Sequence, residues 1–293
     1  MADGVARGDD VARGYCRDAV RRGDRDRYLA ALFAPSDRRD DLLVLAAFNL
    51  EIARAREQVR EPMLGLIRLQ WWRETLDPIF SGGAVRRHPV AEALADTIRR
   101  HNLPRDPFDR LIGARERDME PAPNRDMAAL EAYARETCAP LFLLMGNVLL
   151  GAPQTEASER GAALDDAGAG YALTGLLRAL PFHAAAARIY LPRDRVEASG
   201  LSDQDLGRRE VLPSRAAIVK EIAASARAYL DRARPALQAL PREAAPLRLS
   251  CALARWHLDR LAAAGYEPHA PSVQSTPPWM IWQLGWWRIT GRS

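Results

Sequence analysis

Four pairs of carboxylates stand four residues apart, the spacing that places two side chains on one face of a helix. Two carboxylates on one face can hold Mg²⁺ against phosphate oxygens, as metal-assisted diphosphate chemistry requires. Each pair here lies among arginines, so we interpret the pairs as solvated helix faces held by salt bridges. The pairs are Asp37/Asp41, Glu57/Glu61, Glu92/Asp96 and Glu116/Glu120.

Other chemistry-bearing residues form no recognisable constellation. The five histidines are never arranged as HxxxH or HExxH, and the sequence contains no GxSxG elbow and no Gly-rich phosphate loop. Zinc-finger and RNP-like patterns are also absent, so we expect no nucleic-acid partner. Cys16, Cys138 and Cys251 lack ligand spacing, which indicates reduced, mostly buried thiols in a cytosolic setting.

Composition and charge place few limits on the ligand. The chain has 293 residues, is 48% hydrophobic and carries a net charge of +4, with Lys220 as its only lysine. We attribute the arginine content to genomic base composition, although an acidic ligand or anionic lipid stays open. Residues 1–27 are charged and have no apolar core, which predicts no signal peptide, and no apolar run reaches the roughly 20 residues of a membrane span.

Helical periodicity dominates the chain and predicts an all-α fold in one domain, residues 1–293. Prolines, glycines and capping residues mark the ends of the helices. We expect eight or more helices packed as a bundle around a central cavity. The main predicted helices cover residues 36–59, 62–80, 90–100, 126–151, 156–187, 214–240 and 242–264, with a polar stretch over 194–213 and a bend near Pro140.

Three sequence blocks resemble the squalene/phytoene synthase family in order and spacing. Residues 46–57 read AAFNLEIARARE and are followed by RLQWWRETL at 68–76; the second block covers 88–120. The third, LLRALPFHAAAARIYLP at 176–192, resembles the family pattern NxLRDxxxDxxxGRIYLP and keeps its last five residues. This resemblance implies the isoprenoid-synthase fold, and for active members the head-to-head joining of prenyl diphosphates with Mg²⁺ held by two aspartate-rich motifs.

Those aspartate-rich motifs are degenerate in this sequence. The first family motif falls on residues 53–57, ARARE, which retains only Glu57 as a carboxylate. In the second, Gly175 replaces asparagine, and Ala179 and His183 replace the two aspartates. Alanine and histidine are poor ligands for a hard cation. We therefore expect no metal site and no cofactor, with Mg²⁺ required only if the chain is an active prenyltransferase.

The resemblance is closest to the degenerate subgroup that includes the mitochondrial respiratory complex I assembly factor. It implies a non-catalytic role in complex I assembly, or lipid or prenyl binding at a membrane, with complex I subunits or an isoprenoid as partners. The alternative is an active head-to-head prenyltransferase whose metal site is rebuilt from Glu57, Glu116, Asp118 and His183. As residues that bind a phosphate without metal we predict Arg54, Arg178, Arg188 and Tyr190, and as degenerate catalytic positions Glu57 and His183.

The tail from Pro277 to Arg292 contains four of the seven tryptophans. Trp279, Trp282 and Trp286 follow helical spacing, and we expect this stripe to dock on the core of the domain. The alternative is an interfacial anchor, because tryptophan favours the depth of lipid headgroups. We expect a cytoplasmic protein of bacterial origin, and peripheral contact with the inner membrane stays open.

Overall fold

The computed structural model describes residues 2–59, 61–120, 124–152, 154 and 157–290. These residues form α-helices and two 3₁₀ turns, and no strand occurs among them. The fold class predicted from the sequence is confirmed. The helices are α1 (Ala2–Gly23), α2 (Arg25–Ala31), α3 (Ser36–Ala53), α4 (Pro62–Ser81), α5 (Pro89–His101), α6 (Asp106–Glu116), α7 (Met127–Leu150), α8 (Glu159–Ala185), α9 (Arg193–Ala198), α10 (Asp203–Gly207), α11 (Pro213–Gln238), α12 (Ala245–Ala263), α13 (Pro271–Gln274) and α14 (Met280–Thr290).

Most helix ends follow the signals in the sequence. Pro62 and Pro89 occupy the first positions of α4 and α5, where the missing N–H costs nothing. The side chain of Asp126 accepts a hydrogen bond from the backbone of Ala129 and caps α7. Gly151 ends the same helix in the left-handed conformation, with φ of 67°.

Three stretches differ from the expectation. The helix predicted to reach residue 59 ends at Ala53 and is followed by turns, and the polar stretch 194–213 contains the short helices α9 and α10. Within the charged segment 1–27, residues 2–23 form α1, which buries a stripe of small side chains against α3 and α5: Ala12, Cys16 and Val20. A stripe so narrow is hard to find among charged residues by hydrophobic periodicity.

Helix α8 runs through the centre of the fold and packs most extensively against α7 and α11. Two glycines permit this close packing. A Cβ on Gly168 would lie 2.5 Å from the backbone Cα of Ala139 in α7, and one on Gly170 would lie 2.9 Å from the backbone oxygen of Ala226 in α11. The backbones of the three helices therefore approach to distances that any side chain larger than hydrogen would prevent.

The C-terminal helix α14 lies on a smaller core formed with α2 and α12. Met280 and Leu284 are fully buried there against Leu29, Leu249 and Leu253. The expectation that the tryptophan stripe docks on the core is wrong, because Trp282 is 80% exposed and Trp286 59% exposed. The inner face of the helix already holds aliphatic side chains, so the indoles point to solvent. None of the helices in the described part of the chain combines the length and apolarity needed to cross a membrane.

Candidate functional site

Helix α8 positions the residues that the sequence singled out. Gly175, Arg178 and Ala179 recur at helical spacing before His183 in the last turns. The helix ends at Ala185, and Ala187 takes a left-handed φ of 53° that reverses the chain. The backbone N–H of Arg188 then donates to the carbonyl oxygen of His183 at 2.9 Å. Residues 188–192 consequently return alongside the end of α8.

This reversal assembles a motif pocket from Glu57, His183, Arg188 and Tyr190. The ring centroids of His183 and Tyr190 lie 4.5 Å apart. A guanidinium nitrogen of Arg188 lies 4.0 Å from a carboxylate oxygen of Glu57, whose side chain is half exposed in the turn after α3. Four of the six predicted site residues are thus brought together, while Arg54 and Arg178 lie elsewhere.

A buried hydrogen-bond network supports Tyr190. The hydroxyls of Tyr190 and Tyr133 donate to the same carboxylate oxygen of Asp118, at 3.1 Å and 2.5 Å. Arg115 donates to the hydroxyl of Tyr133 at 3.1 Å and reaches the other oxygen of Asp118 at 3.4 Å. Asp118 is 5% exposed, and its lone pairs already have these partners. Its carboxylate is therefore unavailable to bind a metal ion together with His183.

The electrostatics of the motif pocket oppose a bound cation. Burial, with the charges of Arg188 and Arg115, lowers the pKa of His183 to about 4. Glu116, another ligand considered for a rebuilt site, forms an ion pair with Arg73. Within the described ranges, no three His, Cys, Asp or Glu side chains could hold a metal ion together. The donor set does not fit the Mg²⁺ ions that the fold family implies.

Two of the carboxylate pairs chosen for their helical spacing, Asp37/Asp41 and Glu92/Asp96, lie within helices α3 and α5, whereas Glu57 and Glu61 share no helix because α3 ends at Ala53 and α4 begins at Pro62. Asp41 is fully buried and accepts hydrogen bonds or ion pairs from side chains of α1 and α5, which include Arg13 at 2.7 Å and His101 at 2.7 Å. Asp96 accepts from Arg13 and from Arg100. The expected salt bridges are present. A solvated face is the wrong description of Asp41, because α1 covers it.

Arg178 lines a different site, which we name the arginine cleft. A nitrogen of Arg178 lies 2.6 Å from Oδ2 of Asp26, and Nε2 of His257 lies 2.7 Å from the same oxygen. The cleft has a volume of about 260 Å³. Its walls are formed by Gly23, Asp24, Arg25, Asp26, Arg27, Tyr171, Thr174, Gly175, Arg178, Ala254, His257 and Thr276.

Positive charge outweighs negative charge at the rim of the arginine cleft. The guanidinium of Arg27 pairs with Asp24 and lies 4.6 Å from the ring centroid of Tyr171. The side chain of Arg54 lies against Gly23: a Cβ built on Gly23 would lie 2.4 Å from Nη2 of Arg54. Arg25 and Arg54 form no ion pair with any residue that the structure describes, so both guanidinium groups can receive an anion.

Asp26 is the fixed negative charge of the arginine cleft. Burial alone would raise its pKa, but the hydrogen bond from His257 and the charges of His257 and Arg178 lower it to about 2. Oδ1 of Asp26 and Nε of Arg178 are buried and have no hydrogen-bond partner among the described atoms. Both residues line the cleft, so an unsatisfied acceptor and an unsatisfied donor belong to its wall.

The motif pocket continues into an apolar slot between α7, α8 and α11, which has a volume of about 20 Å³ and which His183, Arg188 and Tyr190 also line. A water molecule needs roughly 10–15 Å³, so the slot has room for about one water molecule. Its apolar walls are Leu130, Leu176, Leu177, Leu180, Ala184, Ile189, Leu191, Leu206 and Ile222.

Sequence reasoning missed Asp26, Arg27 and His257, because none of them stands in a motif and α1 and α2 were not predicted. A signal exists in hindsight: Asp24 caps α2 by accepting from the backbone of Arg27 at 3.1 Å. A capping aspartate predicts the start of a helix, here α2. The partners of Asp26, 152 and 231 residues away in the chain, leave no local pattern.

Comparison with known proteins identifies the family of this chain. A family model for squalene/phytoene synthase matches residues 20–282. The chain belongs to the squalene/phytoene synthase family. One relative is a cattle protein named NADH dehydrogenase (ubiquinone) complex I, assembly factor 6. It is 30% identical to this chain over 284 residues, which cover 94% of this chain and 84% of that protein. The maize protein phytoene synthase 3, chloroplastic, is 27% identical over 86% of this chain and 59% of its own length.

Solved structures agree with the fold of the squalene/phytoene synthase family. A dehydrosqualene synthase in complex with ligand superposes with a TM-score of 0.83 at 16% identity and covers 98% of this chain and 99% of that one. Squalene synthase HpnC from Alicyclobacillus acidocaldarius gives a TM-score of 0.74 at 23% identity, with 88% and 95% covered. These likenesses show that the chain has the fold of the squalene/phytoene synthase family.

Proposed function

We propose that this chain is a non-catalytic member of the squalene/phytoene synthase family that acts in the assembly of respiratory complex I at the periphery of a membrane. The observation that carries the proposal is the composition of the motif pocket. Its histidine, His183, is buried beside the positive charge of Arg188, and its carboxylate, Glu57, is paired with the same arginine, so the pocket is unsuited to Mg²⁺. The similarity to a complex I assembly factor over 94% of the chain supports the same role.

The chemical reason concerns the leaving group of the family reaction. Loss of pyrophosphate from a prenyl diphosphate needs cations to neutralise the developing charge. The carboxylate that the motif pocket offers is Glu57, and it forms an ion pair with Arg188 at 4.0 Å. Arginines bind a diphosphate by hydrogen bonds, but they do not gather several metal ions around it. Such a site can bind a diphosphate, but it cannot promote the loss of pyrophosphate from the prenyl group.

We assign metal-free phosphate binding to the arginine cleft as well, where Arg25 and Arg178 line the walls and Arg54 lies next to Gly23 of the same cleft. The ligand class is a phosphate-bearing isoprenoid or lipid headgroup, bound without metal. Arg188 and Tyr190 serve the motif pocket instead, where Tyr190 is held by Asp118. The proposed location is the cytoplasmic face of a bacterial inner membrane.

The test has a cellular arm and a chemical arm. In a host that carries complex I, deletion of the gene should lower the amount of assembled complex, measured on native gels stained for NADH dehydrogenase activity, and the intact gene should restore it. Purified protein with farnesyl or geranylgeranyl diphosphate, Mg²⁺ and NADPH should release no pyrophosphate, beside an active squalene synthase as control. Normal complex I in the deletion strain would overturn the assembly role. Mg²⁺-dependent pyrophosphate release that is abolished by Glu57→Ala would establish the prenyltransferase alternative.

A further inference from the structure

Helix α14 displays a stripe of large apolar side chains on its outer face. Trp282 is 80% exposed, Trp286 59% and Ile289 82%, and Trp279, just before the helix, is 51% exposed. A contiguous group of exposed aromatic side chains on a folded protein marks a binding surface, because leaving it in water is unfavourable. The stripe is the side of the helix opposite to Met280 and Leu284, which are fully buried.

The stripe is held rigidly along the protein surface. Met280 and Leu284 pack into the small core shared with α2 and α12, in contact with Leu29, Leu249 and Leu253. Eleven residues of α-helix extend about 16 Å, so the indoles form a row rather than a point. A partner would therefore meet a preformed apolar row at little cost in ordering.

A basic cleft opens along the flank of the same helix, and we name it the tail cleft. It has a volume of about 370 Å³ and is lined by Arg242, Arg248, Trp287 and Arg288 together with Gln238, Leu240, Ala245 and Leu249. Arg248 donates to the carbonyl oxygens of Leu240 at 2.9 Å and Pro241 at 3.1 Å. None of the three arginines forms an ion pair with a carboxylate in the described part of the chain.

The charges around the tail cleft favour an anion. Burial and the positive charge of Arg288 lower the pKa of Arg248, and Glu243 opposes this effect. Two guanidinium groups that repel each other gain from an anion placed between them. Residues 268–293 contain no aspartate or glutamate, so no acidic side chain from this segment offsets the arginines of the tail cleft.

We propose that the indole stripe of α14 and the tail cleft together dock on a bilayer that carries anionic phospholipid, with Trp279, Trp282 and Trp286 at the depth of the headgroups and a lipid phosphate in the cleft. The inference rests on the proposed role at a membrane and names the surface that reaches it. Tryptophan prefers the membrane interface, and arginine binds phosphate through paired hydrogen bonds. The combination of an aromatic face with flanking cations is the physical character of an interfacial helix.

The experiment is sedimentation of the full chain with vesicles of phosphatidylcholine, with and without phosphatidylglycerol. We expect binding to the anionic vesicles and roughly tenfold weaker binding by the Trp282→Ser/Trp286→Ser variant. The Arg242→Gln/Arg288→Gln variant should lose roughly fivefold for each charge removed. Both pairs of side chains are exposed, so the variants should fold, which circular dichroism verifies. Raising the salt concentration should weaken binding by the intact chain.

Val211→Ser and Arg209→Gln provide matched controls, since both residues are exposed and lie on another part of the surface. Both controls should bind as the intact chain does. Equal binding to neutral and anionic vesicles, or unchanged binding by the tryptophan variant, would overturn the proposal. So would a concentration-dependent dimer that the tryptophan variant abolishes, because the stripe would then be a contact between two copies. Complex I levels are not part of this readout, so vesicle binding and the assembly role can fail separately.

Discussion

His183 lies with its ring centroid 4.5 Å from that of Tyr190, and the hydroxyl of Tyr190 donates to the buried carboxylate of Asp118 at 3.1 Å. The aromatic neighbour of His183 is therefore fixed by a buried network. The network also holds the positive charge of Arg115 close to the imidazole. The neutral form of His183 is consequently the one that fits the folded protein.

This relationship predicts the pH dependence of stability. Burial, with Arg188 and Arg115, lowers the pKa of His183 to about 4 in the folded protein, against 6.5 for an ordinary histidine. Between these values the unfolded chain binds a proton that the folded chain does not, so the free energy of unfolding falls as pH drops from 6.5 to 4. We expect His183 to account for about 2–4 kcal/mol of that fall.

Urea unfolding between pH 7.5 and 4.5 measures the effect in the intact chain and in His183→Gln. The variant should lose less stability with acid than the intact chain does. Phe182→Gln is the matched control, because it is the neighbouring residue, is 68% exposed and carries no titrating group. Parallel slopes for the intact chain and His183→Gln would show that the imidazole is not held neutral.

Ala187 offers a second prediction, since its φ of 53° is unfavourable for a residue with a Cβ. The position corresponds to the glycine of the family pattern that ends in RIYLP. Ala187→Gly should raise the free energy of unfolding by about 1 kcal/mol, because glycine adopts this conformation without the steric penalty. Ala185→Gly, in the last turn of α8, should instead lower it by roughly 0.5–1 kcal/mol. A loss of stability in Ala187→Gly would contradict the strained geometry.

The sequence predicted helix ends correctly where a proline, a capping residue or a glycine marks them. Pro62, Pro89, Asp126 and Gly151 each mark an observed helix end, because their effect on the backbone is intrinsic to the residue. Helix α1 escaped prediction since its buried stripe consists of Ala12, Cys16 and Val20 within a charged segment, and only tertiary packing shows which face is covered.

The candidate sites also divide into a part that the sequence predicted and a part that it did not. The family pattern placed His183, Arg188 and Tyr190 together because they follow one another along the chain, and the structure brings them and Glu57 into one pocket. The arginine cleft depends on contacts between α2, α8 and α12, which no spacing rule encodes.

A third prediction compares two aspartates of one helical pair. Asp41 is fully buried and accepts from Arg13, Thr97 and His101, whereas the side chain of Asp37 is 73% exposed. Burial opposes ionisation of Asp41, but these donors keep its pKa below the ordinary value. Asp41→Asn should lower the free energy of unfolding by about 3 kcal/mol, because it leaves buried cations without their anion.

Asp37→Asn should change the free energy of unfolding by less than about 0.5 kcal/mol, as expected for an exposed ion pair. Chemical denaturation at neutral pH and low salt measures both variants. Similar losses in the two variants would mean that the effect comes from the helix and not from the buried network.

The glycines of α8 give a fourth prediction. A Cβ on Gly168 would lie 2.5 Å from the Cα of Ala139, and backbone atoms cannot move aside cheaply. Gly168→Ala should therefore lower the thermal midpoint strongly, with a cost of about 2–3 kcal/mol. A Cβ on Gly175 meets nothing within 4 Å, so Gly175→Ala should add about 0.5–1 kcal/mol through helix propensity. Equal behaviour of the two variants would refute the close approach of α7 and α8.

The last prediction concerns the ion cluster that fixes Arg178. Asp26 accepts from both Arg178 and His257 on one oxygen, and its side chain is 8% exposed against 28% for Arg178. Asp26→Asn removes the anion from two partners and should cost about 3 kcal/mol. Arg178→Gln leaves Asp26 paired with His257 and should cost about half as much. The exposed pair of Arg227 and Asp259 is the control, where Arg227→Gln should change stability by less than about 0.5 kcal/mol.

Equilibrium unfolding of the four proteins, the intact chain and the three variants, decides the order of these costs. The pKa of Asp26, lowered to about 2, also implies that its contribution is complete above the ordinary pKa of 3.8 and is lost as pH falls through 2. The part of the difference between the intact chain and Asp26→Asn that comes from the aspartate itself should therefore shrink below pH 3.8. A larger cost for Arg178→Gln than for Asp26→Asn would place the key charge of the cleft on the arginine, and the aspartate would then be its positioning residue.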